Sequence, residues 1–76
     1  MISEHERVVL KTRVPTEGLE VGDVGTVVHV YGNGQAYEVE FVTLDGKTAA
    51  VVTLEGAHVR PVGEREIPHA RELAAK

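Results

Sequence analysis

From Arg7 to Val62 the chain alternates apolar and polar residues with a period of two, and turn-forming residues interrupt it at short intervals. That pattern predicts several short strands in place of helices. The first run, Arg7-Val8-Val9-Leu10-Lys11-Thr12-Arg13, sets Val8 and Leu10 on one face and Arg7, Val9, Lys11 and Arg13 on the other. Pro15 and Gly18 end it, and the segment from Val14 to Gly22 reads as a long loop whose Leu19 and Val21 turn back under the strands. A second run from Gly22 to Tyr31 offers Val24, Thr26, Val28 and Val30 as the inward set and Val27, His29 and Tyr31 as the outward one. After Gly32-Asn33-Gly34, residues suited to a tight hairpin, Tyr37, Val39 and Phe41 point inward and Glu38 and Glu40 outward.

Asp45-Gly46 is a second hairpin signal, and it leads into Thr48-Ala49-Ala50-Val51-Val52-Thr53-Leu54, with Ala50, Val52 and Leu54 inward. Glu55-Gly56-Ala57 reads as one helical turn, and His58 to Val62 as a last strand with Pro61 at its edge or end. Five strands, a long loop after the first and a one-turn link before the last predict an all-β fold, a small five-stranded SH3-like barrel over residues 1–63 whose closure hides the sheet edges. Residues 64–76 are charged and alanine-rich, with Pro68 fit for a first helical turn. They predict a short C-terminal helix with Ala70, Leu73 and Ala74 on one face, a stripe thin enough that it needs a surface to dock on.

Composition narrows what such a chain can do. Seventy-six residues allow one domain with little surface to spare for a deep cleft. There is no cysteine, which removes disulfides and thiolate metal sites. The N-terminus lacks the basic and apolar regions of a signal peptide, and no apolar run approaches the roughly 20 residues of a membrane helix. A cytoplasmic location is the expectation. A net charge of −4 runs against a protein that grips nucleic acid through its overall field.

Candidate chemistry is sparse. The one serine, Ser3, lies in the N-terminal segment ahead of the first strand, and there is no cysteine to pair with a histidine, so no catalytic activity is expected. Glu38 and Glu40 share a face as an acid and base pair does, but on a solvated strand with no sign of a cleft. His5, His29, His58 and His69 fall on different elements without ligand spacing, so neither a metal nor a cofactor is expected. Without tryptophan, and with Tyr37 and Phe41 assigned to the core, the aromatic groove that binds proline-rich peptides has no material. The same scarcity removes stacking platforms for single-stranded nucleic acid. The remaining signal is charge segregation. Arg7, Lys11 and Arg13 share an outward face that a last strand carrying Arg60 would join, while Glu17, Glu20 and Asp23 crowd the long loop.

Gly22-Asp23-Val24-Gly25-Thr26-Val27-Val28, with Tyr37 to Phe41, Asp45-Gly46-Lys47, Val52-Thr53-Leu54 and Val59 to Val62, resembles a family of short bacterial proteins known only as a domain of unknown function. The likeness runs from Val8 to Val62. The opening of this stretch is also similar to the KOW element of ribosomal and transcription factors, in which a glycine precedes a valine strand. What the family resemblance implies is an SH3-like fold, no assigned activity, and members encoded beside toxin-like or other small proteins. The expected function is therefore a non-catalytic protein-binding module, such as a small antitoxin, immunity or accessory subunit. Its expected contacts are Arg7, Lys11, Arg13, Arg60 and Leu73, and its partner is a protein or a second copy of the chain. The alternative is a KOW-like nucleic-acid binder that uses the four basic residues as a local patch.

Overall fold

The structure, a computed structural model, describes residues 1–74. It contains five strands, β1 (Arg7–Leu10), β2 (Val24–Tyr31), β3 (Ala36–Val42), β4 (Thr48–Glu55) and β5 (Val59–Pro61), and two 3-10 turns, Pro15–Glu17 and Gly56–His58. All neighbours are antiparallel, in the order β4-β3-β2-β1-β5. No pairing joins β4 to β5, so the expected closed barrel is instead a five-stranded sheet with two edges. Three-residue β5 ends at Pro61, which has no N–H to continue a ladder, and this limits how far that edge can reach toward β4.

The concave face carries the core: Val8, Leu10, Val27, Val39 and Phe41, with Tyr37, Ala50, Leu54 and Val59 around them. Leu19 folds back from the long loop into this cluster, as the sequence predicts, whereas Val21 stays exposed. The third and fourth strands follow their predicted faces throughout. Ile2 joins the core too. It is positioned by an extension of the first strand in which His5 N–H donates to the Val27 carbonyl and Val27 N–H to that of Glu6.

The second strand corrects the sequence reading. Val27 is fully buried, while Val24 and Val28 are exposed. Pairing passes from Val27 with Val39 to His29 with Glu38, so Val28 is an extra residue, a β-bulge. The bulge shifts the alternation by one, so Gly25 and Val27 face the core before it and Val30 faces it afterwards. Gly25 tolerates no side chain there. A Cβ would stand 2.6 Å from a Val39 methyl and 2.9 Å from the Phe41 ring.

Beyond Pro61 the chain does not form the expected C-terminal helix. Through Ala74 it is irregular, and the last two residues of the predicted helix lie outside the described residues. An isolated helix of about eight residues is marginal in water, and here the segment gains more as an extended strap whose charged side chains reach the sheet. Glu66 turns back to Arg60, and Arg71 reaches Asp23 and the Gly18 carbonyl.

Candidate functional site

The convex face of the sheet is where the strap runs. Cross-strand register places Arg60, Val9 and Val24 in one row and Arg7, Thr26, Glu40 and Val51 in the next. Val9, expected outside with Arg7, is only 5% exposed. It lies between Val24 and Arg60 and shares a groove with Ile67 and Pro68 of the strap, so it is buried on the face opposite the core.

Two grooves flank the strap. One of about 540 Å³ runs between residues 67–73 and the ends of β2 and β3, lined by Leu19, Val24, Phe41, Val42, Leu44 and Leu73 among others. The other, about 460 Å³, lies over β1, β2 and β5, with Arg7, Val9, Glu40, Arg60 and Val62 in its walls. Val24, Val42, Leu44 and Ile67 border both. Leu44 is 83% exposed and Ile67 85%, and Val24, Val42 and Val62 are each more than two-fifths exposed. The strap therefore crosses an apolar surface without sealing it.

Charge holds the strap at two points. Arg60 donates to both oxygens of Glu66 at 2.9 and 2.7 Å, and Gly63 N–H donates to the same carboxylate. The guanidinium bonds and the amide hold the Glu66 carboxyl down to about 2. At the other point Arg71 grips both oxygens of Asp23, with a further bond of 3.0 Å to the Gly18 carbonyl. Partial burial alone pushes the Asp23 carboxyl up, but the Arg71 bonds, the Glu20 N–H at 2.8 Å and the Arg71 charge outweigh it, and the group sits below its usual value.

The five candidate residues from the sequence divide among these features. Arg7 and Arg60 line one groove and half-buried Leu73 the other. Lys11 and Arg13 line neither, and Arg13 pairs with Glu20 at 3.3 Å. The four basic residues therefore do not form one free patch, because Arg60 and Arg13 are each matched by a carboxylate of the chain. Glu38 accepts from the hydroxyls of Tyr31 and Thr53, and Glu40 from that of Thr48. The negative charge of Glu38 raises the Tyr31 phenol above its ordinary value. Among the described residues no group of three or more histidine or acidic side chains is placed to hold a metal ion, and no helix is long and apolar enough to cross a membrane.

Sequence reasoning missed Val24, Val42, Leu44 and Ile67 as site residues. Leu44 and Ile67 did carry a signal, since an apolar side chain in the Thr43–Lys47 turn and another beside Pro68 have no strand face to occupy. Val24 could not be found that way because its outward position depends on a bulge four residues later.

These features define a small all-β protein with an open antiparallel sheet and an apolar, charge-rimmed convex surface. The chain belongs to the family described as Domain of unknown function (DUF4926), whose model matches residues 4–61. The match ends at Pro61, so the strap lies outside it. No curated protein and no solved structure matches the chain at a significant level.

Proposed function

We propose that this protein is a non-catalytic protein-binding module, of the kind a small antitoxin, immunity or accessory subunit would be, and that it contacts its partner through the convex face. The observation that carries this reading is the exposure of Leu44 and Ile67 beside Val24, Val42 and Val62, with Arg7, Glu40, Arg60 and Glu66 around them. An apolar centre with a polar rim is the anatomy of a protein interface. The strand order, with β1 between β2 and β5 and a single 3-10 turn before β5, supports reading the sheet as an SH3-like wrap left open between its edge strands.

The rival reading, a KOW-like nucleic-acid binder, has less support because two of its four basic groups are already paired with Glu66 and Glu20. Phosphate contacts weaken steeply with salt. Titration with labelled RNA and DNA at low and high salt should give little binding at either. Affinity capture from native lysate should retain a partner on the wild-type chain and lose it on Leu44→Asp and Ile67→Asp. Salt-sensitive nucleic-acid binding abolished by Arg7→Ala, with capture unaffected by the two aspartates, would reverse the choice.

A further inference from the structure

The edges of the open sheet are unequal. β5 is three residues long, ends at Pro61 and carries Arg60 locked to Glu66, all features that discourage a further strand. β4 is eight residues long, holds no proline and pairs on one side only, with β3. No charged residue lies between Lys47 and Glu55, and Val51 at its middle is 49% exposed. The outer side of β4 therefore presents backbone N–H and C=O groups to any strand that comes beside it. The two faces of this edge differ. On the concave side stand Ala50, Val52 and Leu54, all apolar. On the convex side stand Val51, opposite Glu40, Thr53, opposite Glu38, and Glu55 two residues further on. Thr48 joins them because Ala49 is a bulge within β4. The Thr53 hydroxyl donates to Glu38 at 2.6 Å and the Thr48 hydroxyl to Glu40 at 2.7 Å. Both donors belong to β4, so both carboxylates lean across the edge strand. Among the described residues, neither they nor Glu55 forms an ion pair.

We propose that the outer edge of β4 takes an extended segment of a partner protein in which basic residues alternate with small or apolar ones. The proposal deepens the protein-binding reading, on which it rests, by naming the chemistry of a segment that pairs. Neighbouring strands stand about 4.8 Å apart, so a lysine or arginine on the convex side of an added strand reaches over Val51 to Glu40, or over Thr53 to Glu38. Another opposite Glu55 meets that carboxylate directly. The residues between them fall on the concave side, beside Ala50, Val52 and Leu54. The backbone ladder supplies the pairing, and the three carboxylates select the charge of what pairs. A second copy of the chain does not meet that requirement. Its own β4 would bring Thr48, Val51, Thr53 and Glu55 to the convex side, with no basic side chain among them.

The test is titration of the isotopically labelled full chain with a capped peptide of lysine alternating with threonine. The β4 amides should shift and gain hydrogen-exchange protection as it is added, and a peptide of glutamate alternating with threonine should produce neither. Glu38→Gln and Glu40→Gln should each weaken binding of the lysine peptide about threefold, and the two together about tenfold. Val51→Lys, which sets an ammonium group between Glu40 and the added strand, should abolish it, with circular dichroism confirming the fold of every variant. Ile67→Asp, in the strap and outside β4, should not weaken peptide binding, so a failure of the apolar convex contact would show in partner capture and not here. No β4 response to the lysine peptide, an equal response to the glutamate peptide, or binding indifferent to both glutamine substitutions would overturn the proposal. So would β4 protection that rises with the concentration of the chain alone, which would put a second copy on the edge.

Discussion

The two faces of this sheet are built from similar amounts of valine and behave in opposite ways. On the concave face Val8, Val27 and Val39 have no exposed area at all, and Leu10, Leu19 and Phe41 complete a core with no buried polar side chain. On the convex face Val24, Val42 and Val51 stand among Arg7, Thr26 and Glu40 and stay substantially exposed. The difference is curvature. A strongly bent sheet brings its concave side chains together from several strands and splays the convex ones apart, so apolar residues seal one side and only border grooves on the other. What covers the convex face is the strap, and it is fixed by ion pairs more than by burial.

The sharpest way to break that comparison is to remove one large side chain from each face. Phe41→Ala deletes a ring packed at the centre of the concave side and should cost about 3–5 kcal/mol, a large share of the small stability available to a chain this short. Glu40→Ala, its neighbour on the convex side, should stay within about 0.5 kcal/mol. Chemical denaturation ranks the two directly. A reversed ranking would mean the third strand is displaced by one residue, because a one-residue slip exchanges every side chain between the faces.

Gly25→Ala probes the curvature itself. A methyl group there would press on Val39, Phe41 and the Glu40 carbonyl, with approaches of 2.6 to 3.0 Å. Overpacking of this kind typically costs about 1–3 kcal/mol. Two of those contacts are with core side chains and one with backbone, so little room exists for adjustment. A stability equal to wild type would show the second and third strands to be farther apart than the structure has them.

How much of this was legible in the sequence follows the same division. The third and fourth strands, with clean alternation and unambiguous turns, were placed correctly on both faces. The second strand was not, because period-two logic assumes an unbroken ladder and Val28 breaks it. Its apolar Val24-Thr26-Val28 set is also more hydrophobic than the Gly25-Val27 set that faces the core. Val9 misled for another reason. Alternation says which side of a sheet a residue takes, and it cannot say that a strap more than fifty positions later in the chain will cover that side. The strap was legible as a segment with a distinct composition, but its extended form depends on Arg60, Asp23 and Gly18, which are contacts of tertiary structure. Sheet closure depended on whether β4 and β5 meet, a geometric outcome of strand length and Pro61 that alternation does not encode.

Removing the strap should change less. Truncation after Gly63 deletes no member of the concave core, and it uncovers Val9 and parts of Leu19 and Phe41. The thermal midpoint of the remaining sheet should fall by only a few degrees, as expected for a loss on the order of 1 kcal/mol. Partner capture through the convex face should weaken at the same time, since Ile67 and Leu73 leave with the strap. A truncated chain that does not fold would place the strap in the structural core and erase the distinction between the faces.

The smallest expected effect is also the most specific, release of the strap by acid. Glu66 and Asp23 both have carboxyls held below their ordinary values while the strap is docked. A group depressed in this way favours the docked state in full above its free value, near 4.5 for Glu66, and loses that contribution as pH falls through the docked value of about 2. Docking should therefore be constant at neutral pH and weaken as pH falls from the free value toward the docked one. Because both pairs stand at the surface, the change in overall stability should be slight. The Ile67 methyl resonances should report it as a shift over that window, while the Val27 and Val39 methyls of the concave core hold their positions. Glu66→Gln keeps the side chain's shape and removes its charge, so it should shift Ile67 toward the acid-released position at neutral pH and flatten the part of the titration that belongs to Glu66. An Ile67 signal that ignores both acid and the substitution would mean that apolar contact, and not the Arg60–Glu66 pair, keeps the strap on the convex face.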